Sequence, residues 1–252
     1  MKRYVFACLS ALLSTLACPA SFAAEKTPEC KVLIVTGGHD FDTKAFYNMF
    51  DAMSGIVYDK AELPKDMDLL ALGLEKKYDV IVSYDMNRFP ITDVQRANYE
   101  KLLQNGMPLL VFHHSICGYD NWPAYREIAG GAYLFKNMEI DGKTWPPSAY
   151  KHDVEMKIAV TDKSHPITQG LDGFTIFDEA YKGVYVSPKA HVLLTTEHPL
   201  STKQVAWTHN YGKSPVFTIL LGHDKHAYGN KNLQTLIKQG IEWLASDRAG
   251  GK

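Results

Sequence analysis

Apolar residues follow two different rhythms in the first half of this chain. Unbroken apolar runs occur at Lys31-Val32-Leu33-Ile34-Val35-Thr36, Tyr78-Asp79-Val80-Ile81-Val82-Ser83-Tyr84 and Pro108-Leu109-Leu110-Val111-Phe112, each stopping at polar residues or glycine. Such runs are too short for helices and do not alternate, so they read as strands buried on both faces, as in a parallel sheet covered by helices. Between them the spacing is helical. Phe46, Met49, Phe50 and Met53 predict a helix over Lys44–Ser54, with Asp42 or Thr43 as its cap and Gly55 as its end. Ile56–Tyr58 reads as a short second strand and Met67–Leu74 as a short helix. Thr92 caps a helix over Asp93–Gln104 that closes at Asn105-Gly106. Strand and helix therefore alternate as in a doubly wound α/β sheet.

After Gly118 the rhythm changes. Asn121-Trp122-Pro123-Ala124-Tyr125 starts a short helix that Gly130-Gly131 ends, and Lys136–His152 has no periodicity and reads as a surface excursion. Excursions of that length in a compact domain often line functional sites. Strands are predicted over Val154–Val160, Gly173–Phe177, His191–Thr196, Gln204–Thr208 and Pro215–Leu221, close enough together to form antiparallel hairpins. Leu233, Leu236, Ile237, Ile241 and Leu244 mark a last helix over Asn230–Ala245. The fold class is α/β: a mostly parallel central sheet flanked by helices, with antiparallel extensions in the C-terminal half. No repeat, linker or low-complexity segment divides it.

The first residues change where the domain starts. Met1-Lys2-Arg3, the apolar stretch Tyr4–Leu16 and Ser21-Phe22-Ala23 have the three parts of a secretory signal peptide, with cleavage expected after Ala23. That leaves residues 24–252 as a single domain in the periplasm or secreted. Cys18 invites a lipoprotein reading, which Thr15 three residues earlier fits poorly. No later segment is long and apolar enough to span a bilayer. A net charge of −1 argues against nucleic acid, which calls for a basic stripe. Cys30 precedes the first strand and Cys117 follows a later parallel one, so they should lie about a strand length, ~20 Å, apart. A disulfide needs Cα atoms within ~7 Å, so both are expected to be free thiols.

Histidine carries the candidate chemistry. His39, the pair His113-His114, and His223 each follow an apolar run, and a parallel sheet would bring all three loops to its carboxyl edge, where ligands bind. Imidazole is the natural acid–base group near neutral pH and the commonest metal ligand. Because successive strand residues face opposite sides, only one of His113 and His114 should face the cleft. Asp178-Glu179-Ala180-Tyr181, after the strand ending at Phe177, adds carboxylates and an aromatic. His113 and His223 are the candidate acid–base pair, with Glu179 orienting one of them. His39, Asp40, His114, Tyr181, Trp207, His209 and Asp224 are candidate substrate contacts. The Trp207-Thr208-His209 element suits stacking on a sugar face, and core packing is its competing explanation. His165-Pro166 and His198-Pro199 read as turns.

No Cys-x-x-Cys, His-x-x-x-His or His-Glu-x-x-His occurs, so a zinc or other divalent site would have to be assembled from separate loops. No P-loop or Gly-x-Gly-x-x-Gly suggests a nucleotide or dinucleotide. Ser115 lacks the Gly-x-Ser-x-Gly context of a nucleophile.

Taken in order, several of these pieces resemble the ThuA-like (trehalose-utilisation) domain, a branch of the class I glutamine amidotransferase-like fold. They are Leu33-Ile34-Val35-Thr36-Gly37-Gly38-His39, Leu109–His113, Ser164-His165-Pro166-Ile167-Thr168-Gln169-Gly170-Leu171 and Asp178-Glu179-Ala180-Tyr181. Pro215–Phe217 leading to Leu221-Gly222-His223-Asp224, and Gly240-Ile241-Glu242-Trp243-Leu244, complete the set. The resemblance implies a flavodoxin-like sheet and a role in carbohydrate metabolism. The amidotransferase relatives place a nucleophilic cysteine where His113 stands and use a later His-x-Glu. Cys117 comes four residues too late and His223-Asp224-Lys225 lacks the glutamate, so glutaminase activity is not expected. Three readings stay open: a hydrolase or lyase acting on a sugar, disaccharide or keto-sugar by histidine and carboxylate acid–base chemistry; a non-catalytic carbohydrate-binding or accessory domain of a sugar-utilisation system; and a zinc-dependent hydrolase on the same histidines. The partner in each is a small carbohydrate. The sugar and the oligomeric state are not readable.

Overall fold

In the computed structural model, Met1 and residues 29–250 are described, with side chains as far as Ser246. The expected signal peptide falls almost wholly outside the described residues. The first apolar run forms β1 (Cys30–Gly37), and Asp42 caps α1 (Thr43–Asp51) by accepting the Ala45 N–H at 3.0 Å. β2 (Ile56–Glu62) is longer than its three apolar residues suggest, because pairing with β1 carries it onward. The expected helix Met67–Leu74 is instead two 3-10 turns, Met67–Leu69 and Leu74–Lys76, separated at Gly73 by a left-handed residue. β3 (Val80–Asp85) and α2 (Asp93–Gln104) follow, the latter closed by a capping box between Thr92 and Gln95. β4 (Leu109–Phe112) is buried at every position.

Beyond β4 come α3 (Pro123–Ala129), β5 (Gly131–Ala132), β6 (Met138–Ile140), β7 (Lys143–Trp145) and β8 (Ala149–Val160). The excursion expected over residues 136–152 therefore contains a hairpin, β6 with β7, and the first four residues of β8. β9 (Phe174–Lys182) absorbs the Asp178–Tyr181 element that the sequence placed after a strand. β10 (Tyr185–Val186) pairs with β5, and β11 (His191–Thr196), β12 (Gln204–Tyr211) and β13 (Ser214–Ile219) follow. α4 (Lys225–Tyr228) and α5 (Lys231–Gly250) end the described chain.

Among the described residues nine strands form one mixed sheet in the order β2-β1-β3-β4-β13-β12-β11-β8-β9. The first five are parallel and the last four join antiparallel. The parallel part has the strand order of a flavodoxin-like doubly wound sheet. Its side chains divide between two cores. Leu110 and Phe112 of β4 pack with Phe46, Phe50 and the α5 stripe, while Leu109 and Val111 pack with Tyr99, Ile128 and Trp207. Apolar side chains cover both faces of the strands, and buried polar strand residues such as Ser83 and Thr218 are hydrogen-bonded within them. Among the described residues no helix is long and apolar enough to cross a membrane. Cys30 and Cys117 are both free thiols.

Candidate functional site

Parallel pairing of β1, β3, β4 and β13 brings the residues after their carboxyl ends to one edge. His39, His113-His114 and His223 all lie there. β4 stops at Phe112, and His113 enters a 3-10 turn, His113–Cys117, with φ 51°. Strand alternation consequently does not separate His113 from His114. Both are buried, and their rings meet edge-on with centroids 5.5 Å apart. His114 donates from Nε2 to the Tyr84 carbonyl at 3.1 Å and stacks on the exposed His39 ring at 4.6 Å. Burial, reinforced by the neighbouring imidazoles, holds its pKa well below the ordinary histidine range, so His114 is neutral.

The far edge of the sheet returns over these loops. In the β8–β9 ribbon the register slips between Lys151 and Val154, with Asp153 at φ 60°, and this bulge stands opposite Glu179. Bulges bend a strand and re-aim its side chains. Asp178, buried, accepts the Gly222 N–H at 2.6 Å and the His223 N–H at 2.9 Å, tying the ribbon to the loop after β13. Burial pushes the Asp178 carboxyl up to about 6, against the opposing pull of His113 and those N–H donors.

Glu179 reaches the histidines directly. Its Oε2 lies 3.1 Å from His113 Nε2 and 3.4 Å from His223 Nδ1, and those two nitrogens are 3.3 Å apart. His113 Nδ1 is 2.7 Å from the Leu220 carbonyl, which can only accept, so Nδ1 carries hydrogen. Tyr181 stacks on the His113 ring at 4.9 Å and brings its hydroxyl within 3.1 Å of Nε2. Burial pushes Glu179 up, but the bonds and charge of His113, with smaller help from His223 and Tyr181, outweigh it and hold the carboxylate below its usual range. Burial and then His113 lower His223. His113, Glu179 and His223 can hold a metal, since their ligand atoms all lie within 4.8 Å of one another.

His152 was missed by the sequence reading. Its Nδ1 is 3.3 Å from Glu179 Oε1 and its ring is 4.7 Å from His223, with half of its side chain exposed. The register slip between Lys151 and Val154 breaks the alternation of Val154, Met156 and Ile158 before it reaches His152, so no local pattern flags it. Other expected contacts stand differently. Asp40 is exposed, and with His39 and Glu62 it lines an open groove of about 470 Å³ beside the cluster. Asp224 caps α4 by accepting the His226 and Ala227 N–H groups.

Trp207 and His209 need correction. Trp207 is wholly buried and donates to the Ala129 carbonyl at 3.1 Å, so it has no free face for a sugar; core packing claims it. His209 pairs across to Val216, which pairs with Leu109 at the start of β4, and this places His209 at the opposite edge of the sheet. It bonds the Glu127 and Ile128 carbonyls and lines a separate cleft of about 720 Å³ with Arg126, Tyr185 and Trp243. His165 and His198 each accept a backbone N–H two residues on, as turn residues do.

A family model described as ThuA, trehalose utilisation, matches residues 31–244. Among solved structures, a ThuA-like protein from Parabacteroides merdae is 20% identical with a TM-score of 0.71, over 86% of this chain and 90% of that one. A ThuA-like protein from Bacteroides uniformis is 19% identical with a TM-score of 0.65, over 90% and 95%. The cytoplasmic protein STM1381 of Salmonella typhimurium is 14% identical with a TM-score of 0.59, over 85% and 99%. At these identities the likeness establishes the fold. No curated protein matches the chain.

Proposed function

The chain belongs to the ThuA (trehalose utilisation) family, and from that premise we propose that it is an enzyme acting on a sugar, disaccharide or keto-sugar at the cluster of His113, Glu179 and His223. The observation that carries this reading is the buried imidazole–carboxylate contact of 3.1 Å between His113 and Glu179, set beside the part-exposed His223 and His152. A carboxylate kept ionised and an imidazole kept neutral are electron-pair donors at neutral pH, ready to take a proton from water or from a sugar hydroxyl. The groove holding His39 and Asp40 has a volume of about 470 Å³, and the His39 ring stands 6.0 Å from that of His223. Export after loss of residues 1–23 is part of the same proposal; it rests on the sequence, and N-terminal sequencing of the secreted chain tests it.

Purified protein incubated with disaccharides and their 3-keto forms should convert one of them, with products followed by chromatography. His223→Ala should lower that turnover by ~10² to 10⁴, the usual loss when an acid–base group is removed. The double variant His113→Ala/His223→Ala should lose little more than the worse single one, because groups that act as a unit are not additive. Saturable sugar binding without turnover would refute the enzyme and point to an accessory binding domain.

A further inference from the structure

We propose that His113 Nε2, Glu179 Oε2 and His223 Nδ1 are the three protein ligands of a divalent transition-metal ion of the zinc class. The inference rests on the same site as the proposed enzyme and says how that site works. Its first support is the size of the triangle. The three atoms are separated by 3.1, 3.3 and 3.4 Å. Ligands ~2.0–2.1 Å from a tetrahedral ion stand ~3.3–3.4 Å from one another. An ion bonded to all three would lie a little under ~1 Å off their plane, with its fourth vertex open. Two imidazoles, one carboxylate and an open position form the donor set of catalytic rather than structural zinc.

The second support is proton accounting. Glu179 Oε2 is a carboxylate oxygen and can only accept. His113 Nδ1 donates to the Leu220 carbonyl, so in the neutral ring Nε2 presents a lone pair to that oxygen. His223 Nδ1 faces the same Nε2 at 3.3 Å. One cation satisfies all three lone pairs together. The Tyr181 hydroxyl, which also bonds Glu179, is then free to donate to the carboxylate alone.

A third support is the rigidity of the shell behind the ligands. His113 is oriented by a backbone carbonyl, the His223 backbone by Asp178, and Glu179 by His152 through its other oxygen. Metal-bound histidines characteristically have their second nitrogen fixed in this way. Solvent reaches the triangle past His223 and His152, whose side chains are 21% and 50% exposed. A bound ion would acidify a water or polarise a carbonyl oxygen there. His152, bonded to Glu179 but outside the triangle, is placed to accept the proton.

The test uses the purified chain, stripped with a chelator and retitrated with Zn²⁺ or Co²⁺ against a chromophoric competitor. One ion per chain is expected, with the visible spectrum of tetrahedral Co²⁺, and Mg²⁺ should not compete because it prefers oxygen ligands. Glu179→Gln and His223→Ala should each weaken Zn²⁺ binding at least 100-fold, while the exposed His226→Ala binds as the parent does. Circular dichroism checks that each variant is folded. No uptake by the folded parent, or full uptake by both ligand variants, overturns the proposal. Turnover by the stripped chain would remove the metal and leave the enzyme standing; a bound ion with no turnover of any sugar would do the reverse.

Discussion

Gly222→Ala is the most exacting perturbation of the loop that carries His223. Gly222 has φ 117°, and a Cβ built on it would stand 2.7 Å from Phe112 Cζ and closer still to Cε2. That φ is strained for any residue with a side chain, at ~1–3 kcal/mol. Phe112 cannot retreat, because it is fully buried with Tyr84 at 5.0 Å and Phe46 at 6.1 Å. Forcing an extra methyl into such packing costs a further ~1–3 kcal/mol, for a total of ~2–6 kcal/mol. Gly73→Ala isolates the first contribution: its φ is 103°, yet nothing lies within 4 Å of the added carbon. The entropy lost by the unfolded chain is common to both and cancels. Urea unfolding at matched slopes should show Gly222→Ala the less stable of the two by ~1–3 kcal/mol. The shift should also reach the site, since the Gly222 and His223 N–H groups share the Asp178 carboxylate. A displacement of ~1 Å there should lower turnover by ~10². Equal stability losses at the two glycines would refute the packing argument.

Three further outcomes follow from burial. Trp207→Phe should cost ~2–3 kcal/mol in lost area and cavity while leaving sugar binding unchanged; weaker binding at unchanged stability would restore Trp207 to the site. Burial holds the pKa of His209 below the ordinary value, so below about pH 6.5 the unfolded chain takes up a proton that the folded chain refuses. Stability is then lost as pH falls from there towards the lowered folded value, at up to ~1.4 kcal/mol per pH unit, and His209→Gln should flatten that slope; coincident slopes would contradict the assignment. Burial pushes the Cys30 thiol up to about 12 and raises Cys117 further, so both should resist alkylation in the native chain and react once it is unfolded without reductant. A pair that stays protected after unfolding would mean a disulfide.

What the sequence reveals of this site follows from what periodicity can report. An unbroken apolar run ending in polar residues announces a parallel strand and its carboxyl end, which is why local pattern alone assigns His39, His113 and His223 to one edge. The same logic went astray at His113, because alternation holds only while the chain stays in the strand, and φ 51° takes His113 out of it. Trp207 misled for a related reason: a Trp beside Thr and His looks amphipathic along the chain, but its strand is covered on both faces.

The carboxylate is the instructive case. Glu179 was named as a candidate, but nothing near it in sequence says how it comes to touch His113. In sheet order β9 lies four strands beyond β13, so pairing alone would leave the two residues far apart. Contact depends on the Lys151–Val154 bulge bending the β8–β9 ribbon and on Asp178 pinning the ribbon to the Gly222–His223 backbone. Both are tertiary facts. The bulge needs a partner strand to be a bulge, and the value of Asp178 as an anchor appears only when two N–H groups from 44 and 45 residues away arrive at its oxygens. His152 was missed for the same reason, since it belongs to that bend. The sheet edge was therefore legible from local pattern, whereas the closing of the site by Glu179 and His152 depends on contacts between segments distant in the chain.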